Sequence, residues 1–161
     1  YHRAATFDCD WAIYNYAQLL AHGRGVPQDR RAALLWFRLA ATRGHARAMN
    51  FLGEFYENGW EVPADRATAF DWYRRSAEGG DFRGQCSHAS VLAEQGRINE
   101  ALYWLRHAAT TATPAYIKHL IATLQRAPHP ALREFAAMLA ARAPRSSTVP
   151  CGPAMLSDVG P

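Results

Sequence analysis

The sequence predicts an all-α protein built as a stack of antiparallel helix pairs. Three observations carry that prediction. Several residues recur at one fixed offset of 36, the apolar positions inside each copy follow the period of a helix, and cap and stop residues fall where helix ends need them.

The offset is plain in the pairs Ala12 and Ala48, Gly23 and Gly59, Pro27 and Pro63, Asp29 and Asp65, and Trp36 and Trp72. It divides the chain into a first copy at 12–47 and a second at 48–83. A third copy is expected at 84–115, where Trp104 follows Trp72 by 32 because four residues of the G-x-x-V-P-x-D turn are gone. Its turn should therefore be tighter. A half-repeat at 116–127 keeps Ile117, Leu120, Ile121 and Leu124 in phase, and residues 1–11 are expected to be a lead-in or the remnant of a preceding helix.

The second half of each copy carries apolar or small residues at i, i+3, i+4, i+7 and i+8. They are Ala33, Trp36, Phe37, Ala40 and Ala41, then Ala69, Trp72, Tyr73, Ser76 and Ala77, then Ala101, Trp104, Leu105, Ala108 and Ala109. Asp29 and Asp65 stand where a carboxylate would accept the orphan N–H groups of a first turn, and Gly44 and Gly80 where a left-handed residue would end the helix. The first halves show the same period, with Ile13, Tyr16, Ala17 and Leu20 answered by Met49, Leu52, Gly53 and Tyr56. Small residues at 17, 53 and 89 let the partner helix approach closely, with the tryptophan expected to fill the space beside them. The expected core thus includes Trp36, Phe37, Trp72, Tyr73, Trp104 and Gly53. A base-stacking aromatic stripe would instead need exposed rings.

Pro128 and Pro130 interrupt the pattern, and a helix across 128–143 with Leu132, Phe135, Ala136 and Leu139 on one stripe is expected to cap the solenoid, or else to dock a partner. Residues 144–161 are rich in proline, serine and glycine and read as a flexible or extended tail.

Composition bounds the function. The 161 residues, 49% hydrophobic and 20% charged, suit one domain, and no apolar run approaches the roughly 18 residues of a membrane span. The net charge of +4 is spread over single arginines and pairs such as Arg30-Arg31 and Arg74-Arg75 among acids, so no nucleic-acid partner is expected. Cys9, Cys86 and Cys151 are odd in number and widely spaced, as free thiols would be. The seven histidines form no HExxH motif, and Cys86-x-His88 alone supplies too few metal ligands. Gly23-Arg24-Gly25 lacks the Gly-Lys-Ser/Thr of a phosphate loop and reads as turn chemistry. No catalytic cluster, metal or cofactor is expected. The chain opens on Tyr1 rather than Met, as a processed or trimmed fragment would, and its single lysine, Lys118, among 18 basic residues fits a GC-rich bacterial source.

The motifs Tyr14-Asn15, Gly23-Arg24-Gly25-Val26-Pro27 and Trp36-Phe37, repeated as Leu52-Gly53, Gly59, Val62-Pro63 and Trp72-Tyr73, resemble the Sel-one-like repeat, a relative of the tetratricopeptide repeat. The resemblance covers roughly residues 12–126; Glu61 replaces the second loop glycine and Ala17 the helix-packing glycine. It implies a right-handed superhelical solenoid that acts as an adaptor, a bacterial envelope or secreted setting, and either a segment of a longer array or a compact module with its own cap. An inhibitor or immunity-type protein that blocks one enzyme is the alternative.

In such arrays the first helices line the concave surface. The 36-residue offset then gives Tyr14, Asn15 and Gln18, next Asn50, Phe51 and Glu54, next Cys86, Ser87 and Ser90, and finally Lys118 and His119 as positions free to meet a protein or peptide. Asn15 or Asn50 would clamp a peptide backbone through its amide. Replacing Asn50 and Glu54 together is expected to weaken such a ligand and leave the melt unchanged. The convex arginines Arg30, Arg31, Arg38, Arg66, Arg74 and Arg75 form a second surface, more simply read as solvated. Oligomeric state is left open.

Overall fold

The computed structural model describes residues 2–142, with side chains from residue 9 onward, so the expected tail at 144–161 lies outside the described residues. Among the described residues there are eight helices and no strand: α1 His2–His22, α2 Arg30–Thr42, α3 Ala46–Asn58, α4 Arg66–Glu78, α5 Phe82–Glu94, α6 Ile98–Thr111, α7 Pro114–Gln125 and α8 Pro130–Arg142. The chain divides into two compact units, one ending at Ile117 and one beginning at Lys118.

In the first unit, α1 packs on α2, α3 on α4 and α5 on α6; α2–α3 and α4–α5 contacts join the pairs, and α3 also meets α5. The starts of α2 to α5 are capped by side chains. Asp29 accepts from the Ala32 N–H at 3.0 Å and Asp65 from the Thr68 N–H at 3.2 Å. Helices α3 and α5 have their own caps, also 36 apart: His45 Nδ1 accepts from the Ala48 N–H at 3.2 Å and Asp81 from the Gly84 N–H at 3.1 Å. Gly44 and Gly80 take positive φ of 93° and 88°, as the sequence requires.

The turns repeat as closely as the helices. In the first two pairs the seven-residue links 23–29 and 59–65 close through the same bond, Asp29 N–H to Leu20 O and Asp65 N–H to Tyr56 O, both 2.9 Å. The third pair is joined by residues 95–97 alone, with Gly96 at φ 78°. Glu61, at the place of Gly25, is forced to φ 57°, the left-handed region that L residues pay to enter.

The core corrects the sequence reading at the tryptophans. Phe37 is 0% exposed, and Tyr73 and Leu105 are 3% exposed, whereas Trp36 is 37% exposed and Trp72 and Trp104 are half-buried. The helical period explains the difference. At 100° per residue the centre of the stripe falls between Ala33, Phe37 and Ala40, and the tryptophan stands at one edge. There it covers a seam: Trp36 meets the Tyr16 ring edge-on at 5.4 Å, and Trp104 meets His88 in the same way, also at 5.4 Å. Tyr16, expected to be buried, is 42% exposed.

The tryptophan was also expected to fill the space beside the small first-helix residue, and here too its neighbour does so. A Cβ on Gly53 would stand 2.6 Å from the Tyr73 ring, so the glycine is what admits that ring. A second close crossing joins the pairs, where a Cβ on Gly84 would collide with Ser76, whose hydroxyl donates to the Ala46 carbonyl at 2.6 Å.

The second unit holds the end of α7 and α8. Leu120 and Leu124 are buried on one, and Leu132, Phe135, Ala136 and Leu139 on the other. Arg133 Nη1 donates to the Ala127 and Pro128 carbonyls at 2.7 and 2.8 Å, holding the start of α8 against the preceding link.

Candidate functional site

The face lined by α1, α3 and α5 is assembled from residues 36 apart. On α3, Arg47, Asn50, Phe51 and Glu54 fall at i, i+3, i+4 and i+7 and so form one stripe. Trp11, Tyr14, Asn15 and Gln18 take the same places on α1, and Arg83, Cys86, Ser87 and Ser90 on α5.

The structure divides the expected contact residues into two kinds. Asn15 and Ser90 are exposed, with Gln18, Glu54, Phe51 and Ser87 partly buried. Tyr14 and Asn50, expected to be free for contact, are 6% and 2% exposed. Tyr14 stacks on the His45 ring at 4.7 Å, and its hydroxyl accepts from Gln18 Nε2 at 2.9 Å. Asn50 is held from both sides: its Oδ1 accepts from Ser87 Oγ at 2.8 Å and its Nδ2 donates to Glu54 Oε1 at 3.3 Å. Its amide is therefore consumed in joining α3 to α5, and replacing it should loosen the fold rather than leave the melt unchanged. Phe51 is likewise half committed to the core, stacked on Phe37 at 5.2 Å. Lys118 and His119 are exposed in the second unit.

Two arginines that the sequence reading passed over complete the face. The Arg47 guanidinium lies 5.8 Å from the Trp11 ring, 5.9 Å from Tyr14 and 5.8 Å from Phe82, and pairs with Asp81 at 3.4 Å. The exposed Arg83 lies over Phe82 at 5.8 Å and Tyr116 at 5.7 Å. The signal that finds them was present, since Trp11, Arg47 and Arg83 are themselves 36 apart.

These charges set the electrostatics. Burial, then the Arg47 charge, depresses the His45 pKa against the opposing pull of Asp10 and Asp81, which suits a neutral ring whose Nδ1 must accept a hydrogen bond. Burial raises the Glu54 carboxyl above its ordinary range, opposed by the Asn50 hydrogen bond and Arg83 and reinforced by Glu57. Glu57 in turn accepts from the Tyr73 hydroxyl at 2.5 Å. Burial pushes the Cys86 thiol up to about 11, so it stays protonated near neutral pH and is a poor nucleophile. No group of three or more His, Cys, Asp or Glu side chains is placed to hold a metal among the described residues. The same residues include no helix long and apolar enough to cross a membrane.

Of the arginines expected on a second surface, Arg38, Arg66, Arg74 and Arg75 are engaged by neighbours. Arg74 and Arg75 both pair with Asp71, Arg66 with Glu94, and Arg38 donates to the Tyr56 hydroxyl at 3.2 Å.

The model of the Sel1 repeat matches residues 12–45, 46–81 and 97–110, just over half of the chain. The chain belongs to the Sel1 repeat family. Sel1 repeat proteins are in general scaffolds for protein interactions rather than catalysts. A Sel1 repeat protein from Oxalobacter formigenes is similar in structure, with a TM-score of 0.64 at 28% identity over 88% of this chain and 62% of that one. The protein c5321, a protective antigen of uropathogenic Escherichia coli strains with the same repeat fold, gives a TM-score of 0.59 at 31% identity over 78% of this chain and 28% of its own. This Sel1 chain therefore spans less than two thirds of either solved relative. No curated protein matches it by sequence.

Proposed function

We propose that this Sel1 repeat chain is an adaptor that holds a protein or peptide partner on the concave face lined by α1, α3 and α5. The observation that carries this reading is the ordered polarity of that face. Arg47 and Arg83 stand near the starts of α3 and α5, the Asn50 and Ser87 pair lies in the middle, and Glu54 stands two helical turns beyond Arg47. Around them Trp11, 50% exposed, and Asn15, Ser90 and Arg83 offer an aromatic surface, an amide, a hydroxyl and a cation held by packed helices. A partner segment crossing this face would place acidic groups toward the arginines and donors toward Glu54, with Asn15 taking its backbone amides.

Peptides selected from a display library against the full chain, with affinities read by fluorescence anisotropy, test the reading. Replacing Arg83 by Glu together with Asn15 by Ala should weaken the selected peptides about tenfold or more and leave the helical melt in place. The control Arg30→Glu with Arg31→Glu on α2 should leave affinity unchanged. Peptides that ignore the first pair of changes and respond to the second would move the binding surface to the other side.

A further inference from the structure

The groove between α2 and α3 and the groove between α4 and α5 are equivalent by the 36-residue offset, but only the first is roofed by the turn that follows it. There the link 59–65 lays Trp60 across both helices, its ring perpendicular to Phe55 of α3 at 5.7 Å and under the Arg30 guanidinium of α2 at 5.2 Å. Val62 of the same link packs on the cluster that buries Leu34 and Phe55. The link after α5 keeps only residues 95–97, and Gln95, Gly96 and Arg97 offer neither an indole nor a branched apolar side chain.

An open cavity of about 240 Å³ lies where that roof would rest. Phe70 and Arg74 of α4, His88, Val91 and Leu92 of α5, and Arg97 of the link line it. Phe70, Val91 and Leu92 stand at the places of Leu34, Phe55 and Tyr56, so the floor repeats the surface that lies under Trp60 and Val62 one copy earlier. Phe70 shows the consequence of the shorter link: it is partly exposed, whereas Leu34 is 5% exposed. The cavity is smaller than the roughly 300–1,000 Å³ of small-molecule sites, a size that suits one large side chain.

We propose that this cavity is a binding site for one uncharged aromatic side chain, an indole in preference, presented by a partner polypeptide. Trp60 in the first groove is the template for the occupant. Arg66 stands at the place of Arg30, and its guanidinium lies 5.1 Å from the Phe70 ring, so the cation that covers an indole in the first groove is present over the second without one. The charges around the cavity are balanced, with Arg74 paired to Asp71 at 2.6 Å, Arg97 to Glu100 at 2.5 Å and Arg66 to Glu94 at 2.9 Å. Guanidinium faces then remain for a ring to stack on, while an acid finds no uncompensated charge. His88, Val91 and Leu92 lie on a different side of α5 from Arg83, Ser87 and Ser90, so the site stands independently of the concave face proposed above.

Titration of the full chain with N-acetyltryptophanamide, followed at the methyl resonances of Val91 and Leu92, tests the site. The expected result is a saturable shift of those methyls, at least about fivefold tighter than with N-acetylleucinamide and unchanged between low and high salt. Val91→Phe, which places in the cavity the ring that Phe55 carries one copy earlier, should abolish the shift at Leu92 and keep the helical melt. Exchanging residues 95–97 for the seven residues of 59–65 restores the roof and should abolish the shift as well. No saturable shift, equal affinity for the two amides, or binding that survives both filled variants overturns the proposal. So does tighter, salt-sensitive binding of the carboxylate N-acetyltryptophan, which would make this an anion site. Arg83→Glu with Asn15→Ala should leave the titration unchanged, so that this site and the concave face fail separately.

Discussion

The pair α1–α2 and the pair α3–α4 have the same turn length, the same aspartate caps and the same Trp-aromatic step, yet they solve two local problems differently. In the first pair Ala17 and Phe37, both 0% exposed, share the centre of the hairpin; in the second Gly53 gives up its methyl group and the Tyr73 ring occupies that space. In the first turn Gly25 holds φ 75° at no steric cost, while in the second Glu61 is driven to 57°. The difference teaches that what recurs is a sum of volumes and a backbone path, met by different residues.

The largest expected effect separates the two members of the Trp-aromatic step. Phe37→Ala should cost about 3–5 kcal/mol, a large part of the roughly 5–15 kcal/mol that holds such a domain together. Trp36→Ala should cost only about 1–2 kcal/mol, because more than a third of that residue already lies in water. Urea denaturation of both variants decides it, and a reversed order would return the tryptophan to the centre of the core.

Next is the small residue. Gly53→Ala gains about 1 kcal/mol of helix propensity but sets a methyl group against the Tyr73 ring, which its hydrogen bond to Glu57 keeps from swinging away. Overpacking should win, with a net loss of about 1–2 kcal/mol. Gly53→Ala combined with Tyr73→Leu should recover much of it. A stabilised single variant would show that the ring yields.

The smallest effect has the opposite sign. Glu61→Gly should stabilise the chain by about 0.5–1 kcal/mol, the relief of left-handed strain less the added freedom of the unfolded glycine. The mirror change Gly25→Glu should destabilise it, and thermal melts of the two should move apart. Movement in the same direction would mean that the two turns are not equivalent.

Much of this was legible in the residues. The caps Asp29 and Asp65 and the stops Gly44 and Gly80 need nothing beyond their own helix, and each acts as its type and position require. The tryptophans were misplaced because a five-position stripe covers a wide arc, and residue type alone does not tell its centre from its edge. Tyr14 and Asn50 were misjudged for a related reason. The positions lie on the face lined by α1, α3 and α5, but His45 and Gln18 claim the one, and Ser87 and Glu54 the other. Arg47 and Arg83 were within reach of the same offset and lay one turn before the residues it was used to select.

The sequence by itself determined the period, the caps at Asp29 and Asp65, the stops at Gly44 and Gly80 and the family, because each of these is settled within about one 36-residue copy. Only the tertiary structure decided which side chains remain available. A residue's exposure on a first helix depends on the helices packed around it: Leu52 and Phe55 of α3 are buried in one cluster with α2 residues, while their counterparts Tyr16 and Leu19 on α1 are exposed.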